Sequence, residues 1–123
     1  MSYFKLIRRL PIFSDMNLII IDRIAKSEAQ AKAYQETRWR KAGELLTLAP
    51  MPKRGFAVLI RGELGGFGET WLYAVTQTER EAQKIAHHTA KAFPFLGLGV
   101  ETMPLNDMRL NRYFLTNETE GGK

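Results

Sequence analysis

Arg54-Gly55-Phe56-Ala57-Val58-Leu59-Ile60-Arg61 and, beyond a glycine-rich link, Thr70-Trp71-Leu72-Tyr73-Ala74-Val75-Thr76-Gln77 decide how this chain folds. Both runs are rich in β-branched and aromatic residues, and Gly62, Gly65, Gly66 and Gly68 separate them, which reads as two antiparallel strands joined by a loose hairpin. Apolar residues occupy both faces of each run: Phe56, Val58 and Ile60 against Ala57 and Leu59, then Trp71, Tyr73 and Val75 against Leu72 and Ala74. Strands of this kind are covered at least in part on both sides.

Outward from the hairpin, Pro50-Met51-Pro52-Lys53 reads as the turn that ends a preceding helix. That helix begins at Ser27, because Ser27-Glu28-Ala29-Gln30 has the spacing of a capping box. Strong helix formers follow, and the expected helix runs to about residue 48, with Ala31, Tyr34, Arg38, Trp39, Ala42, Leu45, Leu46 and Ala49 on its packing face. Leu18-Ile19-Ile20-Ile21 before it suits a buried strand, or else the first turns of one longer helix starting at Ser14 or Asp15. Residues 2–10 suit an edge strand or an extended arm that stops at Pro11. On the far side of the hairpin, Thr78-Glu79-Arg80-Glu81 opens a second helix whose buried face is Ala82, Ile85, Ala86, Thr89 and Phe93 and which Pro94 closes. Gly97 to Met103 reads as a last strand, residues 104–116 fit either a helical turn or a strand, and Asn117 to Lys123 is a polar tail. No internal repeat, linker or low-complexity tract is visible.

The resulting order is α+β: a ferredoxin-like βαββαβ sandwich, two helices on one face of an antiparallel sheet, with an additional N-terminal strand or arm. At 123 residues the chain is expected to form a single domain over 1–116. That arrangement hosts many unrelated activities, so function has to be argued from the residues.

Composition removes several functions. With no cysteine, disulfides, thiol catalysis and zinc-finger spacing are excluded. No run approaches the roughly 20 apolar residues of a bilayer span, and Asp15 and Asp22 bracket the isoleucine run, so a cytoplasmic protein without membrane attachment is expected. The net charge of +5 is uneven: residues 1–54 hold 11 Lys and Arg against 5 Asp and Glu, and residues 55–123 hold 7 against 8. An anionic partner for the N-terminal half follows.

Arg54-Gly55-Phe56-Ala57 resembles the opening of the ribonucleoprotein octamer of RNA-recognition domains, where sheet aromatics stack on bases. The octamer's second aromatic is Val58 here and its last is Arg61, and the stretch stands on the second strand of the expected fold where that family uses the third. The glycine-rich link lacks the Gly-Lys-Ser/Thr ending of a phosphate loop and leads into a strand, so no nucleotide cofactor is implied. His87 and His88 are adjacent and about 100° apart on their helix, which does not make a metal pair.

The expected function is therefore a small, basic, non-catalytic binding module for nucleic acid or an acidic protein surface. Its contact residues are Lys5, Arg8, Arg9, Lys32, Arg38, Arg40, Lys41, Lys53 and Arg54. The alternative is a protein–protein interaction subunit or inhibitor, or a homodimer, associating through its sheet, with Phe67, Trp71 and Tyr73 as contact surface and Tyr3, Phe4, Tyr113 and Phe114 as surplus large apolar residues. A small enzyme would have to use His88 as its acid–base group with Arg38 as a fixed charge. No cofactor and no metal ligand set is expected.

Overall fold

The computed structural model describes residues 2–13, 16–62, 69–92 and 99–116, which form an α+β fold. The chain divides into two compact units, Met1–Lys53 with Met108–Lys123, and Arg54–Asp107.

In the first unit, β1 (Tyr3–Phe13) and β2 (Met16–Ala25) form an antiparallel hairpin, α1 (Glu28–Ala42) follows, and β3 (Thr47–Met51) returns to pair antiparallel with β1. The order is thus β3-β1-β2, with β1 in the middle. A short 3-10 helix, Met108–Tyr113, packs on β2, and Leu115 donates its N–H to the Ile24 carbonyl at 2.9 Å. Leu6, Ala25, Ala31, Tyr34, Leu46 and Leu115 form the core between sheet and helix, with Phe4 and Leu48 against it.

In the second unit, β4 (Phe56–Gly62) and β5 (Glu69–Thr76) form the hairpin, α2 (Glu79–Ala92) follows, and β6 (Gly99–Pro104) pairs antiparallel with β4. The order is β5-β4-β6. Ala57, Val58, Leu59 and Ile60 are all buried, as expected for a strand covered on both faces.

The two units therefore share one plan: hairpin, helix, and a last strand paired with the first. The likeness extends to details. In the first hairpin Leu6 pairs with Arg23 and Ile7 with Ile21, so Asp22 is the extra residue of a bulge; in the second, Val58 pairs with Ala74 and Leu59 with Leu72, so Tyr73 is. Phe4 stands opposite Pro50, and Phe56 opposite Pro104, each proline on the outer strand, where its missing N–H costs no ladder bond. Both helices open on a side-chain cap, a reciprocal capping box at α2 and, at α1, a variant in which the returning side chain reaches one residue further back. Ser27 Oγ accepts the Gln30 N–H at 3.1 Å while Gln30 Oε1 accepts that of Lys26 at 2.9 Å; Thr78 Oγ1 accepts the Glu81 N–H and Glu81 Oε1 accepts that of Thr78, both at 3.2 Å.

Four sequence expectations are corrected. The βαββαβ ferredoxin-like order is replaced by two ββαβ units, because the stretch 47–51, expected as the end of the helix and the turn after it, is a strand. Helix α1 stops at Ala42 because Gly43 takes a left-handed conformation (φ 66°) and donates its N–H to the Trp39 carbonyl at 2.9 Å. Residues 2–10 are neither arm nor edge: β1 is paired on both sides and continues through Pro11, which faces Asn17 near the hairpin end. On α1, Ala31 and Tyr34 are buried as expected, but Trp39 is 57% exposed, Ala42 is exposed, and Leu45 lies beyond the helix at 81%. The isoleucine run is the strand β2, not a helix. Phe67, Phe93, Pro94 and the tail 117–123 lie outside the described residues.

Candidate nucleic-acid interface

Two groups of charged side chains gather in the first unit, and they have opposite chemical character. The first is buried. The bulge turns the Asp22 carboxylate, 6% exposed, toward α1, whose Tyr34 and Arg38 stand one turn apart. Arg8 Nε donates to Asp22 Oδ1 at 3.0 Å, the Tyr34 hydroxyl donates to Oδ2 at 2.8 Å, and Arg38 Nη1 donates to the Tyr34 oxygen at 2.8 Å. Arg38 also pairs with Glu44, just past the helix, and Arg23 donates to the Asp22 carbonyl at 2.7 Å. The direct Arg38–Asp22 approach of 3.9 Å is the weakest of these contacts. Arg8 is thus matched by Asp22 and Arg38 by Glu44, and the cluster ties helix to sheet.

Arg8 and Arg38, both in the expected anion-binding set, are therefore engaged by acids of the chain itself. The same contacts commit the arginine of the enzyme reading to Asp22, Tyr34 and Glu44.

Burial, then the Asp22 charge and its hydrogen bond, raise the Tyr34 pKa above its ordinary 10.0. A pKa raised in the folded state stabilises the fold fully below the unfolded value, and this contribution disappears as pH climbs from about 10 through the folded value. Tyr113, raised by burial, acts in the same direction. Tyr34→Phe should cost about 1–2 kcal/mol at pH 7, by leaving one Asp22 oxygen and one Arg38 N–H short of a partner. It should also flatten the stability loss above about pH 10 without abolishing it, since Tyr113 remains. Urea titrations at pH 7, 9 and 10.5 read both effects.

The second group is exposed. Phe4, Leu6 and Arg8 of β1 point toward α1, as the core and the Asp22 contact require, so Tyr3, Lys5, Ile7 and Arg9 project from the opposite face. At one end of that face the Tyr3 and Phe114 rings meet edge to face, centroids 5.8 Å apart and planes at 83°. Phe114 is carried there by the bridge of its backbone to Ile24. Lys26 Nζ lies 5.8 Å from the Phe114 centroid and Lys53 Nζ 5.7 Å from that of Tyr3. Both lysines are exposed, both rings half-buried. Lys5 is half-buried and Arg9 exposed further along β1. Two rings with their cations, followed by two more cations on the same face, can hold an unstacked base and the phosphates on either side of it.

The other expected contacts are dispersed. Lys32 pairs with Glu28 at 3.3 Å and Arg40 with Glu36 at 3.5 Å along α1, exposed pairs that neutralise charge locally. Lys41 is exposed in the last turn of α1, where it suits the helix dipole. Arg54 belongs to the second unit. Trp71 is half-buried beside Gly62, whose added Cβ would come within 2.8 Å of the indole, so close ring-to-backbone packing occupies it. Tyr73 and His88 line an open groove of the second unit.

Lys26, beside the Phe114 ring, and Asp22, in the buried cluster, were not among the expected site residues. A carboxylate inside the run Ile19–Ile24 is a usable signal of a buried, paired acid; nothing local marks Lys26. Among the described residues no three His, Asp or Glu side chains are placed to hold a metal ion, and no helix is long and apolar enough to cross a membrane. No family model, no curated protein and no solved structure matches this chain.

Proposed function

We propose that this chain is a non-catalytic binding module for single-stranded nucleic acid, held on the Tyr3–Phe114 face of its first unit. The observation that carries the reading is the edge-to-face ring pair flanked by Lys26 and Lys53, continued by Lys5 and Arg9. The surplus of 11 basic over 5 acidic residues in positions 1–54 supports it. Aromatic surface favours single strands, whose bases are free to stack, over duplex, whose bases are not.

The test is fluorescence anisotropy with labelled mixed-sequence 20-mers of single-stranded RNA and DNA. Four cations on phosphates give a log–log salt slope of about −3, so affinity should fall roughly 50-fold between about 50 and 200 mM salt. Duplex of the same sequence should bind more weakly. No binding at the lower salt, a flat salt dependence, or equal affinity for polyglutamate each overturns the reading, the last in favour of an unspecific acidic partner.

A further inference from the structure

In the second unit a groove of about 400 Å³ opens between α2 and β5, lined by Tyr73, Lys84, Ile85, His88, Thr89 and Ala92. Its size falls in the small-molecule range of roughly 300–1,000 Å³. The first unit shows what belongs in that place. Counted from the capping residues Ser27 and Thr78, the bulge residue Asp22 corresponds to Tyr73, Tyr34 to Ile85, and Arg38 to Thr89. There the long Arg38 side chain and the Asp22 carboxylate close the space between helix and sheet with their own ion pairs. Here the arginine is replaced by a short, buried threonine and the carboxylate by a phenol, and the space stays open.

The exchange also reverses the charge that the space would accept. Among the described residues no carboxylate lines the groove; Lys84 and His88 are exposed along it. Among the described residues Lys84 makes no ion pair, and the nearby Glu81 carboxylate is held by the Thr78 N–H and hydroxyl at 3.2 and 3.0 Å. The geometry points to a ligand site here for a free amphiphilic carboxylate, its apolar body against Ile85, Ala92 and the Tyr73 ring, its carboxylate toward Lys84 and His88. This site is separate from the nucleic-acid face and does not depend on it.

Sodium octanoate is the probe, titrated into the ¹⁵N-labelled full chain and followed by amide shifts, with octanamide as the uncharged comparison. Saturating shifts are expected at residues 73 and 84–92 with a dissociation constant of about 1 mM, and about threefold weaker binding of the amide. Thr89→Arg installs the side chain that fills the equivalent space of the first unit and should abolish the shifts. Lys84→Glu, on an exposed position that leaves the fold intact, should remove the preference for carboxylate over amide. Absence of shifts at these residues up to about 10 mM octanoate overturns the site. So does a folded Thr89→Arg that binds like the parent, or a Lys84→Glu that keeps the preference.

Discussion

Replacing Asp22 by alanine is expected to cost about 3 kcal/mol of stability, the largest loss from any single side chain outside the apolar core. The carboxylate is 6% exposed and is the one acid that receives both Arg8 and Tyr34. Its removal strands the Tyr34 hydroxyl donor in a buried setting and leaves Arg8 and Arg38 without their shared counter-charge. Arg8 and Arg38 are 26% and 29% exposed, so water offsets part of the loss, which places the figure at the low end of the range of about 3–5 kcal/mol for broken buried pairs. Arg8→Ala should cost only about 1 kcal/mol, because Asp22 keeps the Tyr34 bond. Urea unfolding of the two variants measures the difference. Equal costs would mean that the cluster is held by the arginines, with the bulge acid a bystander.

The second large effect concerns binding. Lys26→Glu with Lys53→Glu should weaken single-strand binding about 30-fold, roughly 2 kcal/mol, and reduce the salt slope by about two. The reason is geometric: these two cations sit on the two rings, so they are the charges nearest to a stacked base and its phosphates. Loss of affinity should be uniform across sequences, since phosphate contacts position without reading bases. Lys41→Glu on α1 is the control and should change affinity little, its position being outside the face that carries Tyr3, Lys5 and Arg9. Both lysines are exposed, so the double variant should unfold near the parent's midpoint. An unchanged salt slope in the folded double variant would locate the interface elsewhere.

Where local chemistry decides, the amino-acid sequence was sufficient. Both helix starts, Ser27 capping Gln30 and Thr78 capping Glu81, were legible because each cap is a contact between residues three apart. The hairpin strands 56–62 and 69–76, the strand 16–25 and the helix 79–92 were legible from apolar pattern and punctuation, again a matter of near neighbours. Gly43 also stood in plain sight as a helix end, and reading through it to residue 48, with a turn from Pro50, left no room for β3 and produced the wrong strand order. Lys5, Arg9 and Lys53 could be named from charge alone.

What they sit beside could not. The repeat of ββαβ was invisible because equivalent positions carry different residues, Asp22 against Tyr73 and Arg38 against Thr89, while hydrogen-bond register and helix capping conserve the plan. Likewise Arg8 and Arg38 look like free cations in a basic half-chain. Only the bulge that turns Asp22 toward Tyr34 spends them. The ring pair needs Tyr3 and Phe114 from opposite ends of the chain, brought together by strand alternation at one terminus and by the backbone bridge to Ile24 at the other. Charge, capping and periodicity are properties of neighbouring residues and survive in one dimension; which cation is neutralised and which ring is met are distances across a sheet, and folding alone sets them.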